Sequence, residues 1–195
     1  MILPILSYGH PVLRARCSEV GSDYQDLDHL IDNMWETLYN ANGCGLAAPQ
    51  VNHTIRLFLV DSKTTFDALK PEERSFYFRE NDEGFVGTFI NPRILERSEE
   101  TWEDEEGCLS IPNLARPVLR PMNITIEYFD RYFQKHIRAF SGATSRMIQH
   151  EYDHVEGVLY LDYLKPLGRK LLEGKLKKIS TGLLPAKYPM TYMKK

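Results

Sequence analysis

The chain has 195 residues, which is enough for one compact domain with its own hydrophobic core, or for one domain with a tail. Hydrophobic residues make up 43% of the chain and charged residues 26%, an ordinary composition for a globular protein. The net charge of −3 provides no general attraction to nucleic acid or to an anionic membrane surface, so we expect no direct DNA binding and no membrane partner.

The N-terminal segment MILPILSYGHPVLR is apolar, but Pro4 interrupts it and no basic region precedes it. We therefore expect neither a signal peptide nor a membrane span there. The three cysteines, at positions 17, 44 and 108, have no paired spacing. An odd, scattered set argues against a disulfide framework and for a reducing compartment, so we expect a cytoplasmic protein.

In chain order, the first predicted helix covers residues 26–39, where leucine, isoleucine and methionine recur at helical spacing before the sequence NANG. Three strands are predicted from β-branched and aromatic runs at residues 54–61, 87–95 and 123–130. Between the first two strands lies a polar stretch, roughly residues 63–84. We interpret this stretch as a surface insertion with a mobile tip.

The last third of the chain is predicted to be helical from FSGATSRMIQHEYDH onward, beginning near Ser141 or Gly142. A second, short helix is expected at residues 169–179, and an irregular basic tail at about 180–195. These elements predict a single α+β domain over residues 1–195. Its mixed, mainly antiparallel strands would pack around one central helix.

The central helix contains the sequence QHEYDH, in which His150, Glu151 and His154 form an H-E-x-x-H pattern. Residues four apart lie on one helix face, so both imidazoles can bind one metal ion while Glu151 reaches a metal-bound water. A catalytic site usually needs a third protein ligand. In a zincin-type metalloprotease that ligand would lie downstream, where His154 is the last histidine and only Glu156 and Glu173 remain.

Two other stretches bear on the missing ligand. EEGCLSIPN, at residues 105–113, carries Cys108 in a glycine-containing turn, and GCGLAAPQV, at residues 43–51, combines glycines, alanines and a proline before Gln50. Each stretch has an ordinary structural explanation. Cys108 could be one more buried small hydrophobic residue, and the glycines could form the end of the first helix.

Together, GCGLAAPQ, EGCLS and QHEYDH, in this order, resemble the three signature motifs of the peptide deformylases. The resemblance extends from YGHPVLR near the N-terminus to LYLDYL after the central helix, and so covers most of the chain. It implies that Cys108 is the third metal ligand beside His150 and His154. A thiolate and two imidazoles leave one tetrahedral position for water.

The resemblance also implies the reaction, which is removal of the formyl group from the N-terminal methionine of new polypeptides. The metal-bound water would attack the formyl carbon, and Glu151 would take its proton and return it to the leaving amine. By the same resemblance, the Gln50 side-chain amide and the Leu109 backbone N–H would stabilise the charge on the formyl oxygen. Arg120 would pair with Glu106 or Asp153 near the metal.

A substrate peptide can bind as an added strand between Gly43 to Leu46 and the turn at Gly107, through main-chain bonds that ignore sequence. Gly45 is expected to line the site, because the lack of a side chain lets the substrate backbone approach. Helical spacing places Ala143 and Met147 on the face of His150, so both are candidates for a methionine pocket, although a core role for Met147 is an equal alternative. The small Ala143 predicts a wider pocket.

The resemblance implies one divalent metal ion, with Fe²⁺ as the physiological ion and Zn²⁺, Ni²⁺ or Co²⁺ as occupants in preparations. The implied partners are N-formylmethionyl nascent peptides. Tail lysines could make a transient ribosome contact, but exposed lysines at a terminus more often serve only to solubilise it. A further alternative is a binding module that keeps the deformylase-like fold without the activity.

Overall fold

The computed structural model describes residues 1–193, which contain nine strands and five α-helices. In chain order they are β1 (Ile5–Leu6), α1 (Leu27–Asn40), β2 (Gly45–Ala47), β3 (Leu57–Asp61), α2 (Lys63–Ala68), α3 (Pro71–Tyr77), β4 (Val86–Arg97), β5 (Thr101–Cys108), β6 (Ile111–Pro121), β7 (Asn123–Phe129), β8 (Lys135–Ser141), α4 (Gly142–Val155), α5 (Pro166–Ser180) and β9 (Met190–Thr191). This composition confirms the α+β class.

The largest sheet has five antiparallel strands in the order β2-β3-β4-β7-β8. All five residues of β3 are buried, because alternate side chains of a strand point to opposite faces and both faces of this strand are covered. Leu57 and Leu59 pack in one apolar cluster with α1. Phe58 and Val60 pack in a second cluster with α4.

Helix α4 is the central helix predicted from the sequence. Its residues are almost all buried, because the five-stranded sheet covers one side and the antiparallel β5–β6 hairpin covers another. The helix begins at Gly142, where φ is +54° and a Cβ atom would lie 2.2 Å from the carbonyl oxygen of Tyr77. Gly157, with φ of +76°, turns the chain away just after the helix ends.

Most of the predicted elements are present with small shifts at their ends. The helix expected at 26–39 is α1, and the short helix expected at 169–179 extends over Pro166–Ser180. The β5–β6 hairpin is absent from the prediction. One of its strands contains the acidic run EDEEG and the other contains three prolines, so neither resembles a typical strand.

Two segments differ from their predictions. The stretch at 63–84 folds into the helices α2 and α3, and one side of it faces a groove described below. The tail is not irregular throughout, since Met190–Thr191 forms β9 and pairs in parallel with β1. Within residues 1–193, every helix is too short or too polar to cross a bilayer.

Candidate metal centre

Three side chains meet between the end of β5 and the inner face of α4. One ligand atom from each of Cys108, His150 and His154 lies within 4.8 Å of the other two. Cys108 Sγ is 3.3 Å from His154 Nε2, and the two imidazole centroids are 5.2 Å apart. A thiolate and two imidazoles form a donor set that suits a divalent ion such as zinc or iron. The sequence prediction placed these same three residues together.

The orientation of His150 is fixed by a buried carboxylate. His150 Nδ1 lies 2.9 Å from Glu106 Oε2, so the Nδ1–H group donates to this carboxylate and Nε2 is left as the basic nitrogen. Burial lowers the pKa of His150, but Cys108 and Glu106 outweigh burial and raise it well above its ordinary value. The Glu106 carboxylate therefore favours positive charge at this point, as a cation site requires.

Glu106 is itself held by two arginines. Arg120 donates two hydrogen bonds to it, at 2.7 and 2.8 Å, and Arg146 donates a third at 2.7 Å. Arg120 also donates to Asp153 at 2.7 Å, so it pairs with both of the partners considered from the sequence. Burial opposes ionisation of Glu106, but bonds from Arg120 and His150 outweigh it and hold the carboxyl pKa well below its usual range.

Arg146 is a residue that the sequence analysis missed. It is 5% exposed, and its guanidinium donates to the carbonyls of Trp102 and Val118 as well as to Glu106. It also lies over the Trp102 ring, 4.3 Å from the centroid. The available signal was its position four residues before His150, which places a charged side chain on the buried face of the helix.

Glu151 is buried beside the ligand cluster. Its Oε2 atom is buried and has no hydrogen-bond partner among residues 1–193, and the same holds for Nδ1 of His154. Burial raises the pKa of the Glu151 carboxyl to about 7. A Cβ atom at Gly45 would lie 2.4 Å from Glu151 Oε1, so Glu151 is the neighbour that requires glycine at this position.

Gln50 and Leu109 lie beside the ligands. Gln50 is 1% exposed, and its Oε1 accepts a 2.8 Å hydrogen bond from the Ala47 N–H, which orients the amide. Its Nε2 then faces Cys108 Sγ at 3.6 Å and Ser110 Oγ at 3.2 Å. Leu109 directly follows Cys108, and its carbonyl accepts a 2.7 Å bond from the Tyr188 hydroxyl of the C-terminal segment.

A groove of about 1290 Å³ runs over this cluster, which is large enough for a peptide. The five residues predicted to contact substrate all line it: Gly43, Gly45, Gly107, Ala143 and Met147. A Cβ atom at Gly107 would meet nothing closer than 3.9 Å, so this backbone is open to the groove. Tyr77 and Tyr188 also line it, and the sequence analysis placed neither of them there.

The two downstream glutamates that could complete a zincin-type site lie elsewhere. Glu156 forms an ion pair with Arg56, with 2.6 Å between Oε1 and the guanidinium nitrogen. Glu173 is exposed on α5. Among the described residues, the cluster that could hold a metal therefore takes its third ligand from Cys108.

The flanking residues support the ligands through hydrogen bonds. Gln149 donates from Nε2 to the Pro121 carbonyl at 3.0 Å and to Ser145 Oγ at 3.0 Å. Asp153 accepts from Arg120 and, at 3.0 Å, from the Tyr163 hydroxyl. These bonds tie the helix to its surroundings, and neither residue is among those that line the groove.

Comparisons with known proteins agree with this geometry. A family model described as "Polypeptide deformylase" matches residues 2–170. The chain is 44% identical to the peptide deformylase of Christiangramia forsetii over 192 residues, covering 98% of this chain and 96% of that protein. It is 45% identical to the peptide deformylase of Flavobacterium psychrophilum over 197 residues, covering 100% of this chain and 99% of the relative.

Solved structures give the same result. A crystal structure of peptide deformylase from Ehrlichia chaffeensis superposes with a TM-score of 0.79 at 31% identity, covering 91% of this chain and 96% of that one. A Plasmodium falciparum peptide deformylase in complex with an inhibitor superposes with a TM-score of 0.73 at 31% identity, covering 90% of this chain and 98% of that one.

Proposed function

This chain belongs to the polypeptide deformylase family, and we propose that Cys108, His150 and His154 hold its metal while Glu151 carries the proton. The protein is a metal-dependent hydrolase that removes the N-formyl group from newly synthesised polypeptides. The single observation that supports the ligand assignment is the meeting of the three donor atoms within 4.8 Å, although they come from two separate elements.

The identity of the ion is the first detail of the proposal. When bound, a divalent cation supplies Lewis acidity toward the formyl oxygen and toward the attacking water. We propose Fe²⁺ as the working ion, as the family resemblance implies. The donor set does not discriminate against Zn²⁺, Ni²⁺ or Co²⁺, so preparations can carry these ions as well.

Glu151 moves the proton in this proposal. Hydrolysis breaks the formamide C–N bond, takes one proton from water and delivers one to the leaving nitrogen, so that formate and a free amine are produced. A buried carboxyl whose pKa is about 7 can accept and return a proton near neutral pH. Its Oε2 atom, with no partner among residues 1–193, is the atom proposed to hold the proton between the two steps.

Gln50 and Leu109 stabilise the negative charge that develops on the formyl oxygen. The Ala47 N–H fixes Gln50 Oε1 and so directs the amide N–H groups toward Cys108. The Leu109 N–H comes from the residue that directly follows this ligand. Removing one such donor typically costs about 3 kcal/mol of transition-state stabilisation, equivalent to roughly a 100-fold loss in kcat.

Substrate is proposed to bind along the groove as an extended strand, between Gly43 to Leu46 and the open backbone at Gly107. Main-chain hydrogen bonds of this kind do not depend on peptide sequence, which suits nascent chains that share only their first residue. Ala143 and Met147, which line the groove from α4, are proposed to receive the methionine side chain.

The substrate also suggests where the enzyme works and what it contacts there. We place the enzyme in the cytoplasm because formylated nascent chains are made there. A transient ribosome contact stays a prediction based on the lysines of the tail. Cosedimentation with ribosomes at low and high salt would test it, because a contact made by lysines weakens as salt screens the charges.

The experiment that tests the proposal is anaerobic purification with Fe²⁺, followed by metal analysis and measurement of formate released from a formyl-Met-Ala-Ser peptide. We expect one metal ion per chain and one new amine per formate. Cys108→Ala should lose the metal and the activity together. Cleavage of an unformylated peptide would instead support a metalloprotease, and peptide binding without formate release would indicate a binding module.

A further inference from the structure

The segment 63–84, which lies outside the three motifs, forms one wall of the groove. Thr64, Thr65 and Ala68 of α2 and Tyr77 of α3 line the groove together with Ala143, Arg146 and Met147 of α4. The residue directly before the segment, Ser62, contacts the helix that carries His150 and His154. Ser62 Oγ and Thr144 Oγ1 are 2.7 Å apart, and both residues are completely or almost completely buried.

The segment meets the start of α4 at Tyr77. A Cβ atom at Gly142 would lie 2.2 Å from the Tyr77 carbonyl oxygen, so the backbone of Tyr77 rests on the first turn of α4, beside Ala143. The Tyr77 ring meets the Trp102 ring edge-on with 6.4 Å between centroids. The Arg146 guanidinium lies over the Trp102 ring, 4.3 Å from its centroid. Tyr77 therefore stands next to the part of α4 that faces the groove.

Tyr77 is held in this position by a small cluster within the segment. Phe78 is 3% exposed and meets the Phe66 ring edge-on at 5.2 Å. Arg74 lies over the same Phe66 ring at 4.3 Å and donates to the Phe66 carbonyl at 3.1 Å. Because α2 and α3 are joined in this way, Tyr77 is part of a built wall and is not at the tip of a mobile loop.

We propose that Tyr77 is a specificity-determining residue whose ring bounds the pocket for the first side chain of the substrate. Ala143 is small and leaves space on the face of α4, and the aromatic wall stands where it can limit that space. An aromatic ring also makes favourable contact with a flexible thioether side chain. The inference rests on the proposed function, since it takes Ala143 and Met147 as the methionine pocket.

The test compares kcat/KM for formyl-Met-Ala-Ser and formyl-Phe-Ala-Ser peptides, measured as formate release by the metal-loaded enzyme. Tyr77→Ala should lower the Met/Phe ratio roughly 10-fold, because the pocket loses a contact for methionine and gains room for a ring. Adding Ala143→Leu to Tyr77→Ala should restore most of the ratio by filling the same space. A ratio that Tyr77→Ala leaves unchanged would overturn the proposal.

Phe76→Ala is the matched control. Phe76 is the adjacent aromatic residue of α3, it is 72% exposed, and it is not among the residues that line the groove. This variant should keep the wild-type ratio. The Phe76 ring meets the Tyr77 ring edge-on with 5.0 Å between centroids, so this variant changes the packing of α3 but not the wall of the groove. An equal loss of selectivity in Phe76→Ala and Tyr77→Ala would overturn the proposal, because it would assign the effect to packing within α3 and not to the Tyr77 ring in the groove.

A second variant keeps the proposal testable if Tyr77→Ala does not fold, as judged by its thermal denaturation midpoint. Ala143→Leu in the wild-type background should crowd the pocket and lower kcat/KM for the formyl-Met peptide relative to a formyl-Ala peptide, and an unchanged ratio would overturn the inference. Wild-type enzyme that releases no formate from either peptide would overturn the proposed function and this inference with it. Normal wild-type turnover with unchanged ratios in the variants would overturn this inference alone.

Discussion

The floor of the groove and its two rims are held by different interactions. Next to the proposed metal ligands, the ionic floor consists of Glu106, Arg120, Arg146 and Asp153, which are largely buried and hydrogen-bonded to one another. The two rims are the segment 63–84, described above as one wall of the groove, and the segment 181–193. They reach the groove through the half-buried rings of Tyr77 and Tyr188.

This difference assigns support of the catalytic site to the floor and substrate selectivity to the rims. Breaking a buried ion pair leaves an uncompensated charge, so the floor tolerates little change. A half-buried ring can be exchanged at modest energetic cost, so the rims can alter substrate preference or rate while the ligands stay in place. Changes at the floor should therefore reduce stability, metal binding or turnover severely, and changes at the rims should reduce them mildly.

The largest effect is expected for Glu106→Gln. The variant removes the charge that neutralises Arg120 and Arg146 and weakens the partner of His150. We expect the free energy of unfolding of the metal-free protein to fall by about 3–5 kcal/mol, and metal affinity to fall roughly 10- to 100-fold. Urea denaturation and chelator competition would measure these two changes.

The matched control for this variant is Glu103→Gln, an exposed glutamate on the same strand, which should change the unfolding free energy by less than about 0.5 kcal/mol. If the two variants lost similar stability, the floor would not be the critical region of the groove.

The next largest effect is expected for Gly45→Ala. The added methyl group would lie 2.4 Å from Glu151 Oε1 and must displace that carboxylate. We expect kcat/KM for a formyl-Met peptide to fall at least about 100-fold, as for loss of a general base, while the metal is retained. Gly174→Ala, whose added carbon has no neighbour within 4 Å, is the control and should keep full activity. Unchanged activity in Gly45→Ala would show that Glu151 does not need its present position.

At the rim, Tyr188→Phe should have a moderate effect. The variant removes the 2.7 Å hydrogen bond to the Leu109 carbonyl and so loosens the residue whose N–H is proposed to bind the formyl oxygen. Loss of one hydrogen bond worth about 1 kcal/mol should lower kcat roughly 5-fold with little change in KM. Tyr132→Phe, at a side chain that is 75% exposed, should leave kcat unchanged. A rise in KM at constant kcat would contradict the role given to Tyr188.

The smallest effect is expected away from both regions, at Asp162. Arg14, Arg169 and the Leu159 N–H all donate to this carboxylate. Burial opposes its ionisation, but Arg14 and Leu159 outweigh burial and lower its pKa. A lowered folded-state pKa stabilises the protein above the unfolded-state pKa, and this stability is lost as the pH falls through the folded-state value.

Asp162→Asn should therefore lower the free energy of unfolding by about 0.5 kcal/mol at pH 7. The difference from wild type should shrink as the pH falls below about 3.9, the ordinary value for aspartate. Denaturation at a series of pH values would measure it, with formate release at pH 7 expected to be unaffected. A difference that stayed constant with pH would mean that the Asp162 charge does not contribute.

Sequence and structure agree best where interactions are local. Helix α1 buries an apolar face with a helical period, strand β3 is a short run of apolar residues, and the H-E-x-x-H histidines are one helical turn apart, so short segments were sufficient to predict them. Cys108 was predicted as the third ligand only through the family resemblance, because it is 42 positions before His150 and no periodicity connects the two.

The remaining features depend on contacts between distant parts of the chain. Tyr77 meets the start of α4 at Gly142, and Tyr188 bonds to Leu109, which is 79 positions away. Strand β5 is rich in acidic residues and becomes a strand because it pairs with β6. In each case tertiary packing decides the outcome, and the local sequence carries little sign of it.

The measurement that tests the central claim most directly is X-ray absorption spectroscopy of the zinc-loaded protein. If Cys108, His150 and His154 share one cation, the spectrum should show one sulfur neighbour at about 2.3 Å and nitrogen neighbours at about 2.0–2.1 Å. The sulfur contribution should disappear in any zinc that Cys108→Ala retains. A wild-type spectrum with no sulfur neighbour would contradict the account.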